Sequence, residues 1–146
     1  MRTPFRTLNV FIASFENRND ALTYSQAQWE PQPPADASDE EYEVWEDRNP
    51  QWRMRSDLET SFLDADFIET IWGIDGGDVG ADWAYLASVI GVENAAVCKT
   101  IAAGESNTLI LIDAQATGGF PVGFRSTPAM TYCGSFSASP QAGPKT

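Results

Sequence analysis

The sequence predicts an α+β fold in which a four-stranded sheet, mainly antiparallel or mixed, is packed with helices. The 146 residues fit one domain, and 42% of them are hydrophobic, with five tryptophans, which indicates a packed core despite a net charge of −12. Strand-like and helix-like patterns follow one another in the order β, α, α, α, β, α, α, β, β. We therefore predict a single domain over residues 1–146, with a proline-rich surface connection at 31–37 and a mobile tail at 139–146.

The chain begins with a strand and a helix. Residues 8–15, LNVFIASF, predict a central strand because both of its faces would be largely apolar. Residues 17–29 then predict a helix, which begins at the cap-type Asn17. The prolines of the connection at 31–37 end this pattern because proline cannot continue a helix.

The second predicted helix is short and acidic. Ser38 followed three residues later by Glu41 is a capping-box pattern, and it predicts a helix that runs to about Arg48. Tyr42 and Trp45 share one face at i, i+3 spacing and are predicted to anchor the helix to the core. The acidic positions on another face are Glu40, Glu43 and Asp47.

A helix and a strand follow. Residues 51–63 look helical, with Trp52, Leu58 and Phe62 as the predicted inward positions. Residues 66–72, DFIETIW, alternate between two faces and predict a strand with one polar edge.

The glycine-rich turn at residues 73–82 contains Asp75, Asp78 and Asp82, a composition that suggests a calcium loop. The spacing fits no known calcium-loop pattern, so a flexible acidic turn is the preferred interpretation. Asp82 is better explained as the N-cap of a helix that ends at Gly91. The predicted buried face of that helix consists of Trp83, Leu86, Ala87 and Ile90.

The last part of the chain predicts one helix and two strands. The helix covers residues 93–103, with Val97 and Ile101 facing inward. Residues 107–114, NTLILIDA, form the most apolar strand and are expected at the centre of the sheet. The final strand is predicted at residues 130–138.

The negative charge is concentrated in one part of the sequence. Residues 36–69 contain twelve acidic residues and three arginines, a net charge of −9, whereas the rest of the chain has a net charge of −3. Such a concentration would give one face a strong negative potential that attracts a basic protein and repels nucleic acid and anionic membranes. The sequence also has no apolar run of bilayer-spanning length and no N-terminal signal-like segment, so we expect a cytoplasmic protein.

Residue types exclude several kinds of catalysis. The chain has no histidine, which excludes Ser-His-Asp triads, Cys-His pairs and histidine-bearing metal sites. Asp64, Asp66 and Glu69 are candidate paired carboxylates, but strand alternation would place Glu69 on the side opposite to the other two. We expect neither catalysis nor a cofactor, and we interpret Cys98 and Cys133 as two buried thiols.

Four segments together resemble the immunity protein 22 family, the antidotes that accompany toxins of bacterial polymorphic toxin systems. The segments are VFIASF at 10–15, DFIE at 66–69, NTLILI at 107–112 and TYCGSF at 131–136. Ala13 stands where the family usually has glycine, and Cys133 stands where an aliphatic residue is common. The resemblance implies a non-catalytic protein that binds and neutralises a cognate toxin, but it assigns no binding residues.

The charge pattern and the resemblance lead to one main hypothesis. An antidote to a nuclease would benefit from an acidic, aromatic-bearing surface because a nuclease must present a basic face to phosphates. Alternatives that stay open are an acidic nucleic-acid mimic that inhibits a nuclease or restriction system, a small carboxylate-dependent enzyme, and a helix face that serves only solubility. The predicted partner-binding residues are Asp39, Glu40, Glu43, Trp45, Glu46 and Asp47.

Overall fold

The computed structural model describes residues 6–73, 80–102, 106–119 and 122–138. The strands are β1 (Arg6–Ala13), β2 (Ile68–Trp72), β3 (Thr108–Asp113) and β4 (Thr131–Ala138). The α-helices are α1 (Arg18–Ser25), α2 (Asp39–Arg48), α3 (Arg53–Asp57), α4 (Trp83–Ile90) and α5 (Val92–Ala102). Short 3₁₀ turns precede β2 and follow β3, at Ala65–Phe67 and Ala114–Thr117.

The four strands form one antiparallel sheet in the order β2-β3-β1-β4. Leu8 of β1 lies opposite Asp113 of β3 on one side and Phe136 of β4 on the other. The two central strands are buried almost throughout, from Leu8 to Ala13 in β1 and along the whole of β3, because a central strand of a sheet covered on both faces has no solvent-facing side. The predicted α+β class, the order of elements and the central positions of β1 and β3 are confirmed.

Helices cover both faces of the sheet because side chains alternate along each strand. One face packs against α4 and α5, and its core residues on the two central strands are Leu8, Val10, Ile12, Leu109 and Leu111. The other face packs against α1 and α3, and its core residues on the two central strands are Phe11, Ala13, Ile110 and Ile112. The domain therefore has three layers, and α2 contributes no buried residue to either core.

The predicted helix caps are confirmed. The side chains of Asn17, Ser38 and Asp82 accept hydrogen bonds from the backbone N–H groups of Asp20, Glu41 and Tyr85, at 2.8, 3.1 and 3.1 Å. Helix α4 ends at Gly91, whose φ of 95° lies in the region that glycine tolerates best. Each of these caps depends on residues that are close in the sequence, which is why the pattern alone identified them.

Several predicted details are wrong. Val97 and Ile101 were expected to face inward, but they are 50% and 41% exposed, and α5 instead buries the smaller Ala95 and Cys98. Phe62 is 41% exposed because helix α3 ends at Asp57, before the predicted helix would reach it. Helix α1 ends at Ser25 rather than near residue 29, and the strand predicted at 66–72 begins at Ile68.

Some predictions fall outside the described residues, namely those for Asp75, Asp78 and the tail at 139–146. Across the described ranges, no helix is both long enough and apolar enough to cross a membrane.

Candidate functional site

Helix α2 lies on a loop that leaves the three-layered domain and returns to it. The loop starts and ends at a bridge between Gln28 and Gln51, whose backbones exchange two N–H···O hydrogen bonds of 2.8 Å each. Everything between these residues, including the proline-rich connection, forms the 28–51 loop. The bridge ties the two ends of the loop to each other.

Glu30 holds the end of α2 through backbone and side chain alike. Its N–H donates to Asn49 Oδ1 at 2.8 Å, and its carbonyl oxygen accepts from Trp45 Nε1 at 3.0 Å. Its carboxylate accepts from Arg48 Nε at 2.6 Å and from Asn49 Nδ2 at 3.2 Å. We call this set of four residues, Glu30, Trp45, Arg48 and Asn49, the Glu30 clasp.

The clasp also changes the acidity of Glu30. The hydrogen bond from Asn49, followed by the hydrogen bond and charge of Arg48, lowers the pKa of the Glu30 carboxyl below its ordinary value. Glu30 therefore stays ionised at neutral pH, and its charge is paired with that of Arg48 within the same loop.

Tyr42 holds the middle of α2 against the proline-rich connection. Its hydroxyl lies 3.1 Å from the carbonyl oxygens of both Pro33 and Pro34, to which it donates. Tyr42 and Trp45 therefore anchor α2, as the sequence predicts. They do so against the 28–51 loop itself. The expected contact of these two side chains with the core is wrong, because neither belongs to the cores on the two faces of the sheet.

The acidic side chains of α2 all face solvent. The helix contains six carboxylates, those of Asp39, Glu40, Glu41, Glu43, Glu46 and Asp47, and all six residues are exposed. Within the described ranges, the salt bridges involve Arg6, Arg48 and Arg125, and none reaches a carboxylate of α2. The structure thus displays the predicted residues Asp39, Glu40, Glu43, Glu46 and Asp47 at the surface, and it half-buries Trp45 beside them.

Trp29 is a prominent surface residue that the sequence analysis did not select. Its side chain is 60% exposed, and its ring centroid lies 5.7 Å from that of Trp45, with the two planes at 36°. The opening beside these rings has a volume of about 570 Å³, and we call it the Trp29 pocket. Its lining residues are Trp29, Glu30, Gln32, Trp45, Glu46 and Asn49. A tryptophan within the segment QAQWEPQP was a usable signal, since both residues that flank it are polar and predict no burial.

The candidate carboxylates for catalysis do not form a common site. Asp64 caps the 3₁₀ turn by accepting from the N–H of Asp66 at 3.0 Å, and Asp66 is exposed. Glu69 is buried instead, and both of its carboxylate oxygens lie 2.9 Å from the Tyr85 hydroxyl. No group of three acidic or cysteine side chains suited to hold a metal occurs in the part of the chain that the structure describes.

Cys98 and Cys133 are free thiols that contact each other between α5 and β4. Cys98 is buried as expected, whereas Cys133 is only partly buried. The hydrogen bond between them lowers the pKa of Cys98 and, together with burial, raises the pKa of Cys133. This pair lies in the layer of α4 and α5, apart from the 28–51 loop.

Comparison with family models, with curated proteins and with solved structures finds no match to this chain. The resemblance to the immunity protein 22 family therefore stays a prediction.

Proposed function

We propose that this chain is a non-catalytic immunity protein that binds and neutralises a cognate bacterial toxin through the acidic surface of α2. The observation that carries the proposal is the display of six carboxylates on one exposed helix with no salt bridge to them among the described residues. Carboxylates at i, i+3 and i, i+4 spacing repel one another, which weakens a helix in isolation. A basic partner would relieve that repulsion on binding.

The charge of α2 suits a role in capture. Six acids and one arginine give this ten-residue helix a net charge of −5. A concentrated negative potential can raise the association rate with a basic protein by about 10- to 1,000-fold, an effect that falls with ionic strength. Nucleic acid and anionic membranes would be repelled by the same field.

The way α2 is held also supports binding. The Gln28–Gln51 bridge, the Glu30 clasp and the Tyr42 hydroxyl fix the helix before any partner arrives. A surface that is already ordered loses less conformational entropy on association than a flexible loop does. A toxin with a basic face, such as a nuclease that holds phosphates, is the partner class that this surface fits best.

The test is neutralisation of the protein encoded beside the gene of this chain. That neighbour is expressed in a bacterial host, where we expect it to stop growth and this chain to restore it. Reversal of Glu40, Glu43 and Asp47 to lysine changes the net charge of α2 from −5 to +1 and should abolish protection.

A matched control carries the same charge change elsewhere. Glu16, Asp66 and Glu93 are exposed acids outside the 28–51 loop, and their reversal to lysine also changes the net charge of the chain from −12 to −6. This variant should still protect. Circular dichroism is used to check that both variants fold. If both triple variants protect equally, the toxin does not dock on α2.

A further inference from the structure

We infer that the Trp29 pocket receives an arginine side chain of the protein partner. The inference rests on the proposed function, since it names the group that the partner would insert beside α2. The pocket volume of about 570 Å³ lies within the range of about 300–1,000 Å³ that is typical of ligand sites.

Trp29 has the character of a residue that contributes strongly to binding. It is exposed, yet the backbone on both sides of it is fixed, by the bridge at Gln28 and by the hydrogen bond from the Glu30 N–H to Asn49. Tryptophans in ordered surface positions are enriched among the residues that carry most of the energy of protein interfaces. The indole of Trp29 therefore offers a rigid aromatic face beside an acidic helix.

Charge complementarity favours a cationic occupant. Glu30 and Glu46 both line the pocket, and the charge of Glu30 is paired with Arg48. Glu46 forms no salt bridge within the residues that the structure describes. An acidic group would be repelled by Glu46 and by the rest of α2, and an aliphatic group would leave the Glu46 charge without a counterion.

Arginine suits these walls better than lysine. Its guanidinium is planar and less strongly hydrated than an ammonium group, so it can stack on an indole ring while its N–H groups bond a carboxylate. Trp29 and Trp45 supply the rings, and Glu46 supplies the carboxylate. A lysine would find the same charge but would lose the stacking contact.

The test uses a poly-arginine peptide and a poly-lysine peptide of equal length and charge. Each peptide is titrated into the protein at low and at high ionic strength, and the indole N–H signals of the tryptophans are followed by NMR. We expect the arginine peptide to bind about threefold more tightly or better, and to shift the Trp29 signal. Trp29→Ala should remove the preference for arginine and leave the charge-dependent part of binding.

Phe67→Ala is the matched control, because it removes another exposed aromatic ring that lies outside the 28–51 loop and should keep the preference. Equal binding of the two peptides, or an arginine preference that Trp29→Ala does not change, would overturn the inference. Sedimentation showing that Trp29 instead mediates self-association, with a second copy occupying the pocket, would also overturn it.

The two proposals fail in different ways. An arginine preference that depends on Trp29, without neutralisation of the neighbouring toxin, refutes the proposed function alone. Neutralisation that depends on α2, without any arginine preference, refutes only the assignment of the pocket.

Discussion

Removal of the two aromatic anchors of α2, by Tyr42→Phe and Trp45→Phe, should make local opening of this helix easier while the sheet keeps its stability. Tyr42→Phe deletes the hydroxyl that donates to the carbonyl oxygens of Pro33 and Pro34. Trp45→Phe deletes the N–H that donates to Glu30 and reduces the ring contact with Trp29. Neither change removes a buried side chain from the sheet core.

The size of the effect follows from these contacts. Each lost hydrogen bond costs about 1 kcal/mol, because the partly exposed acceptors regain water. The reduced aromatic contact adds about 0.5–1 kcal/mol. With one hydroxyl donor and one indole donor lost, opening of α2 in the double variant should therefore be easier by about 2.5–3 kcal/mol, which raises the opening constant by about 60- to 140-fold. Once detached, a ten-residue helix with repelling carboxylates should unfold locally.

Native-state hydrogen exchange measures this directly. Amides of α2 should exchange faster by the stated factor, whereas amides of β1 and β3 should keep their protection. Tyr132→Phe is the control, because it removes the donor to Asn9 Oδ1 at 2.9 Å but touches nothing in α2. If the anchor variants lowered the protection of α2 and the central strands equally, α2 would belong to the cooperative core and our description of it as a displayed surface would be wrong.

Two further predictions concern Glu30 and Gly118. The pKa of Glu30 is lowered in the folded state, so the stabilising effect of its carboxylate is present above the ordinary carboxyl pKa of about 4.3 and is lost as the pH falls through the pKa of the folded state. In urea unfolding, Glu30→Gln should be less stable than the wild type at neutral pH, and the difference should vanish in acid. A difference that stays constant with pH would contradict this. Gly118→Ala should lower the free energy of unfolding by about 1–2 kcal/mol, since φ is 61° and the added Cβ would lie 2.8 Å from Cε1 of Phe62. Gly123→Ala is the control: the Cβ added there has no atom within 4 Å, so it should have little effect in the same denaturation assay.

Features that depend on neighbours in the sequence were predictable. The caps at Ser38 and Asp82 follow from a side chain that reaches a backbone N–H three residues later. The central position of β3 follows from the apolar run LILI at 109–112, which suits a strand covered on both faces, and all six residues of β3 are buried in the structure.

The inward face of α5 was not predictable in the same way. A helix with several apolar positions has more than one face that could pack against the sheet, and the hydrophobicity of the side chains favoured the face of Val97 and Ile101. Packing selected Ala95 and Cys98 instead, which gives α5 a buried stripe of small side chains against the sheet. The choice depends on the distance between the two layers, which no local pattern encodes.

For the candidate site, the sequence by itself determined the composition of α2: a capped helix with six acids, and two aromatics on a different face from Glu40, Glu43 and Asp47. Only the tertiary structure decided where those aromatics bind and what lies next to them. Trp29 and Glu30 reach Trp45 across 15 or 16 positions of the chain because the Gln28–Gln51 bridge closes the loop. Contacts of that kind depend on the path of the backbone between the two segments, so the pocket that they form exists only in the folded chain.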